Sequence, residues 1–123
     1  RLVDEQDQTI RANSYRRSLA QALTERGWVE LQNDRLDDAQ AAFDESLEIL
    51  QHSPLDADSS ILVEATRAHA LWGLSKVAAR AGEADRSRTQ LSRALDIQRR
   101  LIARAPAHVQ FKADLKLMDQ SPD

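Results

Sequence analysis

The sequence predicts an all-α fold of about five antiparallel helices stacked as a solenoid, and three observations carry this. Of 123 residues, 19 are alanine and 16 leucine, whereas valine, isoleucine and threonine together number 14 and the aromatics five: Tyr15, Trp28, Phe43, Trp72 and Phe111. Alanine and leucine favour helix, while β-branched and aromatic residues are what strands use. Apolar residues recur at three- and four-residue steps, and no stretch alternates with period two for long enough to propose a strand. Finally, the sequence matches itself when shifted by 48 residues, and a fixed period of this size marks stacked supersecondary units.

The elements follow in chain order. Residues 9–33 place Tyr15, Leu19, Ala22, Leu23, Val29 and Leu31 mostly at helical steps, and Asn33-Asp34 interrupts the stretch. Residues 36–51 repeat the pattern with Leu36, Ala39, Phe43, Leu47 and Leu50; Asp37-Asp38 opens this helix, where negative charge favours the N-terminus. The turn-rich run from His52 to Ser59, with Pro54 inside it, is a connector. Residues 60–81 carry Leu62, Ala65, Ala68, Leu71, Leu74, Val77 and Ala81. Gly82 then stands where a helix-terminating glycine belongs, because glycine adopts the left-handed conformation at little cost. Residues 84–104 carry Leu91, Ala94, Leu95, Leu101 and Ile102. Pro106 suits a first helical turn and makes Ala105 extended. Residues 107–119, with Val109, Phe111, Leu115 and Met118, form a short last helix ended by Ser121-Pro122. Short connections of this kind join antiparallel neighbours.

The shift by 48 lays Ala22-Leu23 on Ala70-Leu71, Val29 on Val77, Asp37 on Asp85, Leu47 on Leu95 and Ile49 on Ile97. A second shift carries Tyr15 and Leu19 onto Phe111 and Leu115. The unit is a helix pair. Residues 1–123 therefore read as a single domain of two pairs (about 9–51 and 60–104) plus the first helix of a third. A pair cannot bury its apolar face alone, so pairs stack. Small residues fall where helices must approach closely: Gly27, Ala39 and Ser46 in one unit, Ser75, Ser87 and Ala94 in the other.

This pattern resembles the tetratricopeptide repeat, TPR. Leu23, Gly27, Ala39, Phe43, Ser46 and Leu47 match it in the first unit; Leu71, Leu74, Ser75, Gly82, Ser87, Leu91, Ala94 and Leu95 match it in the second. Arg26 stands where the family usually has leucine, Glu30 where it prefers an aromatic, and the period exceeds the usual 34 residues. Stretches such as Ser46–Leu50 and Leu101–Pro106 look like those of long-period bacterial repeats. The resemblance covers about residues 9–119. It implies a right-handed α–α superhelix with a concave groove lined by the first helix of each pair. Carried onto this sequence, the groove residues are Gln21, Thr24, Trp28 and Gln32, then His69, Trp72, Lys76 and Arg80. Thr24 and Trp28 replace the basic pair with which some relatives hold a C-terminal carboxylate, so a clamp of that kind is not expected.

Trp28 and Trp72 lie away from the residues that carry the packing pattern, and tryptophan is a favoured binding anchor. The competing reading is that either ring covers a neighbouring helix, since tryptophan is commonly half-buried.

Little else points to chemistry. There is no cysteine, so disulfides, thiolate metal sites and a thiol nucleophile are excluded. His52, His69 and His108 are too scattered for a local metal motif, and nothing resembles a nucleophile elbow. The sequence is thus read as a non-enzyme with no catalytic residue, no metal and no cofactor. Its net charge of −3 argues against nucleic acid, and no apolar run is long enough to span a membrane. Residues 34–60 set eight acids against Arg35 alone, whereas residues 83–105 set six arginines against three acids. Two solvated faces account for this; the sharper expectation is that Asp44, Glu45 and Glu48 face Arg86, Arg93 and Arg100 in the next unit.

The expected function is protein–protein interaction. A TPR-like groove would bind a peptide or partner protein and tether it to a larger signalling protein, a context the resemblance to bacterial repeats implies. The expected setting is cytoplasmic, and a first residue other than Met suggests a piece of a longer protein. The alternative is a structural spacer or homodimerisation module without a peptide ligand.

Overall fold

A computed structural model describes residues 2–52 and 59–120, with side chains placed for 5–52 and 61–120. The described residues form five α-helices and no strand: α1 (Leu2–Gln32), α2 (Leu36–Gln51), α3 (Ser59–Arg80), α4 (Ala84–Arg104) and α5 (Val109–Asp119). Most of the proline-containing connector and the terminal Ser121-Pro122 lie outside the described residues. α3 is the central element. It packs against α1, α2 and α4, while α1 also packs against α2, and α5 against α4.

The turns after α1 and α3 are built alike. Asp34 has φ 61° and Gly82 φ 80°, positions related by the 48-residue shift. In each turn a backbone N–H reaches back five residues, Arg35 to the Glu30 carbonyl at 2.9 Å and Glu83 to the Ala78 carbonyl at 2.8 Å. This is the six-to-one bond of a Schellman cap, which satisfies carbonyls that the helix leaves unpaired. Aspartate tolerates the left-handed conformation better than most residues, which lets it serve where the second unit uses glycine.

Pro106 works differently from the sequence expectation. α5 begins at Val109, not at 107. The His108 N–H donates to the Ala105 carbonyl at 3.0 Å, closing a four-residue turn with proline at its second position, where its fixed φ is favourable. Ala105 is extended (φ −136°, ψ 67°), as the residue before proline should be.

The core forms three connected clusters. Leu31, Ala39, Phe43, Ala70, Leu74 and Val77 join α1, α2 and α3. Ala68, Leu71, Ala94, Ile97, Leu101, Phe111 and Met118 join α3, α4 and α5. Ala20, Leu50 and Val63 form a smaller group, and Leu47 packs against both larger ones. The small residues serve close approach. Ala39, Ser46, Ser75 and Ala94 are buried, and the Ser87 hydroxyl donates to the Ser75 carbonyl at 2.8 Å, linking α4 to α3. The Thr24 and Ser46 hydroxyls lie 2.7 Å apart, and both reach the Ala20 carbonyl (2.9 and 2.8 Å). With one proton each, one hydroxyl donates to the carbonyl and the other to its neighbour, so α1 and α2 are joined without an orphaned donor.

A closer contact involves two glycines. The Phe43 ring of α2 sits between Gly27 of α1 and Gly73 of α3. A β-carbon placed on either glycine would come within 2.2–2.8 Å of ring carbons. Gly73 had no assigned role in the sequence reading.

Two kinds of expectation fail. Tyr15, Ala22 and Val29, placed among the packing residues of α1, are exposed because no described helix covers that side of α1, and Leu62 of α3 and Val109 of α5, placed likewise, are 62% and 79% exposed. The arginines of α4 do not pair with the acids of α2 among the described ion pairs. Arg86 meets Glu83, Arg88 meets Asp85 and Arg99 meets Asp96, each three residues away on the same stretch of chain. A neighbour one helical turn away is met at less entropic cost than a partner on another helix.

Gln98 is 1% exposed, and its Nε2 donates to the Phe111 carbonyl at 2.9 Å while its Oε1 is buried without a partner among the described residues. The 48-residue equivalent is the fully buried Leu50. Gln98→Leu should remove the orphaned acceptor and stabilise the protein by about 1 kcal/mol, raising Tm by about 3 °C in a thermal melt. A fall in Tm would show that the Gln98–Phe111 bond is worth more than the orphan costs.

Candidate functional site

A cavity of about 490 Å³ opens between α1 and α3 and is closed at one end by α5. Its wall on α3 is apolar, through Ile61, Leu62 and Ala65, and its rim on α1 is polar, through Ser14, Arg17, Ser18, Gln21 and Glu25. It forms because α1 and α3 both pack on α2 through their buried faces, leaving the side chains on their other flanks to diverge.

The eight residues named from sequence distribute unevenly over this surface. Gln21, Thr24, Trp28 and His69 line the cavity. Thr24 is buried, and its hydroxyl is committed to Ser46 and Ala20. Gln32 is exposed at the last residue of α1 and is not part of the lining. Lys76 lies over the Trp72 ring, 6.0 Å from its centroid, the position of a cation–π contact. Arg80 is a capping residue: its guanidinium donates to the Leu31 carbonyl at 2.6 Å and lies 3.4 Å from Asp34. A cation there meets the negative end of the α1 dipole and ties the ends of α1 and α3 together.

The two tryptophans are neighbours, with ring centroids 4.9 Å apart and planes at 65°. They form part of a chain of edge-to-face contacts from Phe43 through Trp28 and Trp72 to His69. Such contacts add about 0.5–1.5 kcal/mol each beyond area burial when both partners are aromatic carbocycles or indoles. Trp28 packs against the α1–α2–α3 cluster and Trp72 against the α3–α4–α5 cluster. The pair therefore joins two parts of the core, and the half-buried Trp28 also lines the cavity. The Trp72 Nε1 is buried with no partner among the described residues, so this indole is placed for packing and not for donating to a ligand.

At the α5 end, Asp114 is the organising group. Its side chain is 9% exposed. One carboxylate oxygen lies 3.1 Å from His69 Nε2, and the other accepts from Gln110 Nε2 at 2.8 Å. Burial of a carboxylate requires such donors. The contact fixes the His69 ring at the cavity wall and pins α5 to α3. His108 stacks flat on Phe111, with centroids 3.8 Å apart and planes at 8°, and both line the cavity. The contribution of α5 was not legible in the sequence, because it depends on a contact between residues 45 positions apart. Among the described residues no three His, Asp or Glu side chains are grouped to hold a metal ion. None of the described helices is long and apolar enough to cross a membrane.

The chain matches no family model, and neither a curated protein nor a solved structure shows significant similarity to it.

Proposed function

We propose that this chain is a TPR-like helical-repeat module, coiled as a right-handed superhelix, that holds a peptide or partner protein in the groove between α1 and α3 and tethers it to a larger signalling protein. The observation that carries the reading is the groove itself: a cavity of about 490 Å³ with an apolar wall and a polar rim, the combination that extended or helical peptides use for affinity and orientation. The repeated Asp34 and Gly82 turns, one 48-residue period apart, support the repeat character. Ser14, Ser18 and His69 line the same cavity, but Nε2 of His69 is engaged by Asp114, and a binding role is the simpler use of these groups.

Because Trp28 and Trp72 pack on the core clusters, alanine at either position would lower stability as well as binding. Gln21 and Thr66 line the groove without belonging to a core cluster and make a cleaner test. Panning a displayed random-peptide library on the chain should enrich a shared motif. Filling the groove with Gln21→Trp and Thr66→Trp should weaken the enriched peptide by about tenfold or more, the scale of a lost anchor contact, with helix content unchanged by circular dichroism. An enriched peptide that binds the filled groove as well as the open one would remove the basis for this site, as would failure to enrich any motif.

A further inference from the structure

The groove between α1 and α3 carries opposite charge at its two ends, which limits what can lie along it. Two contacts fix the level of α1 against α3. Ala20 clusters with Val63 through Leu50, and Trp28 meets Trp72, so a residue of α1 stands beside the residue 43 or 44 positions later on α3. Arg17 therefore stands beside Ile61 and Leu62, and Glu25 beside His69. All five line the groove.

At the Arg17 end the lining polar groups are donors. Arg17 is half-buried and has no ion-pair partner among the described residues. Ser14 and Ser18 line the groove beside it, three residues before and one after, so the hydroxyls and the guanidinium share one flank of the helix. α5 reaches His69 through Asp114. With α4 running back between them, α3 and α5 point the same way, and the first turn of α5 falls at the Arg17 end. That turn has no side-chain cap and no acid, so its free N–H groups present partial positive charge. No lining side chain at this end is a carboxylate.

The other end is reversed. The exposed Glu25 and the buried Asp114 set two carboxylates against the one imidazole of His69. Glu25 also lacks an ion-pair partner among the described residues. Between the ends Leu62 is 62% exposed, an apolar side chain that the fold leaves uncovered. Arg17 and Glu25 are eight residues apart, about 12 Å at the 1.5 Å rise of a helix. An extended chain covers that distance in four residues at about 3.3 Å each, and side chains four apart on it point the same way.

We propose that the partner of this groove is an extended segment bearing an aspartate or glutamate and, four residues away, a lysine or arginine, held with the acid at Arg17, the base at Glu25 and an apolar residue between them against Leu62. This assignment rests on the groove as the binding site.

The test begins with a displayed peptide library flanked on both sides by carrier sequence, so that no free terminal carboxylate competes, panned on the 123-residue chain. Enriched sequences should carry an acid and a base four positions apart. A synthetic peptide of that sequence, titrated by fluorescence anisotropy, should bind Arg17→Glu and Glu25→Lys each about fivefold more weakly than the native chain, the scale of reversing an exposed ion pair. Changing the peptide's acid to lysine should restore binding to Arg17→Glu and not to Glu25→Lys. Changing its base to glutamate should restore binding to Glu25→Lys and not to Arg17→Glu. Arg17 and Glu25 belong to no core cluster, so Tm should not move in either variant. A lower Tm in Arg17→Glu would assign the guanidinium to an acid of the chain itself and overturn the proposal. If Gln21→Trp leaves the peptide bound, the groove itself is lost as the site, and the assignment with it. Peptides that Gln21→Trp blocks, but that carry no such charge pair or ignore both reversals, would keep the groove and overturn its polarity. So would rescue of both variants by the same peptide change, which would mean that net charge alone is felt.

Discussion

Gly73→Ala is expected to destabilise the protein by about 2 kcal/mol, although alanine is the better helix former by about 1 kcal/mol. The new methyl carbon would lie 2.2 Å from Cζ of Phe43 and 2.6 Å from both Cε atoms. The ring has nowhere to go. It is fully buried, Gly27 closes on its other side, and Trp28 meets it edge-on at 5.8 Å. Overpacking of this kind costs about 1–3 kcal/mol, occasionally more, and a gap so far below contact distance calls for the upper end. Phe43→Ala alone should cost about 3–5 kcal/mol through lost burial and the cavity left behind. The decisive measurement is the double variant. With the ring gone, the clash disappears while the gain in helix propensity remains, so Gly73→Ala should become stabilising by about 1 kcal/mol in the Phe43→Ala background. Urea unfolding of the four proteins gives the coupling as a double-mutant cycle. A Gly73→Ala effect of the same sign and size in both backgrounds would show that the glycine is not there for the ring.

The second large effect is expected at α5. An isolated helix of 11 residues is marginal in water, so α5 depends on its contacts. Phe111 and Met118 reach the α3–α4 cluster, Gln98 bonds the Phe111 carbonyl, and Asp114 engages His69. Phe111→Ala removes the largest of these, at about 3–5 kcal/mol for a buried phenylalanine. Because α5 packs mainly against α4, the loss should fall on local opening and not on the whole fold. Hydrogen exchange should show residues 109–119 losing protection while α1, α2 and α3 keep theirs. Val109→Ala, at a residue 79% exposed, should do neither. A uniform loss of protection along the chain would mean that α5 folds as one cooperative unit with the rest.

A residue's role is legible in the sequence where its near neighbours settle it. Helical period, the left-handed turn at Gly82 and the break at Asn33-Asp34 are local signals, and they place four of the five helices within a few residues. α1 extends further toward the N-terminus than its apolar pattern, because Leu2–Ser14 contains no helix breaker. A role that depends on what lies across a gap leaves no such local signal. Tyr15 and Val29 have a core residue's spacing, but spacing does not say whether a second helix arrives to cover them. The tryptophans looked dispensable to the packing because neither falls in the repeated pattern; they pack on each other, a contact that periodicity does not encode. The α4 arginines satisfy themselves within one helical turn. Gly73 stands in mid-helix, an unfavourable place for glycine, and that cost was the available clue that some other group needs the room. Of the groove residues carried over from the resemblance, Gln21, Thr24, Trp28 and His69 line the cavity, whereas Gln32, Trp72, Lys76 and Arg80 do not. The α5 wall was not legible, since nothing in the sequence pairs His69 with Asp114.

The placement of Phe43 also bears on how the molecule unfolds. On the repeat architecture proposed above, the molecule would behave as a one-dimensional chain in which each unit has its own stability and gains more from its neighbour. Phe43's helix packs against α1 within the first unit, but the same ring fills the notch at Gly73 in the second. One side chain thus contributes to both the intrinsic and the nearest-neighbour energy. Melting of the first unit withdraws the ring from the second and uncovers Ala70, Leu74 and Val77. The two halves should therefore melt in a single transition despite their modular sequence. Weakening this wedge would let the halves part company, turning one transition into two.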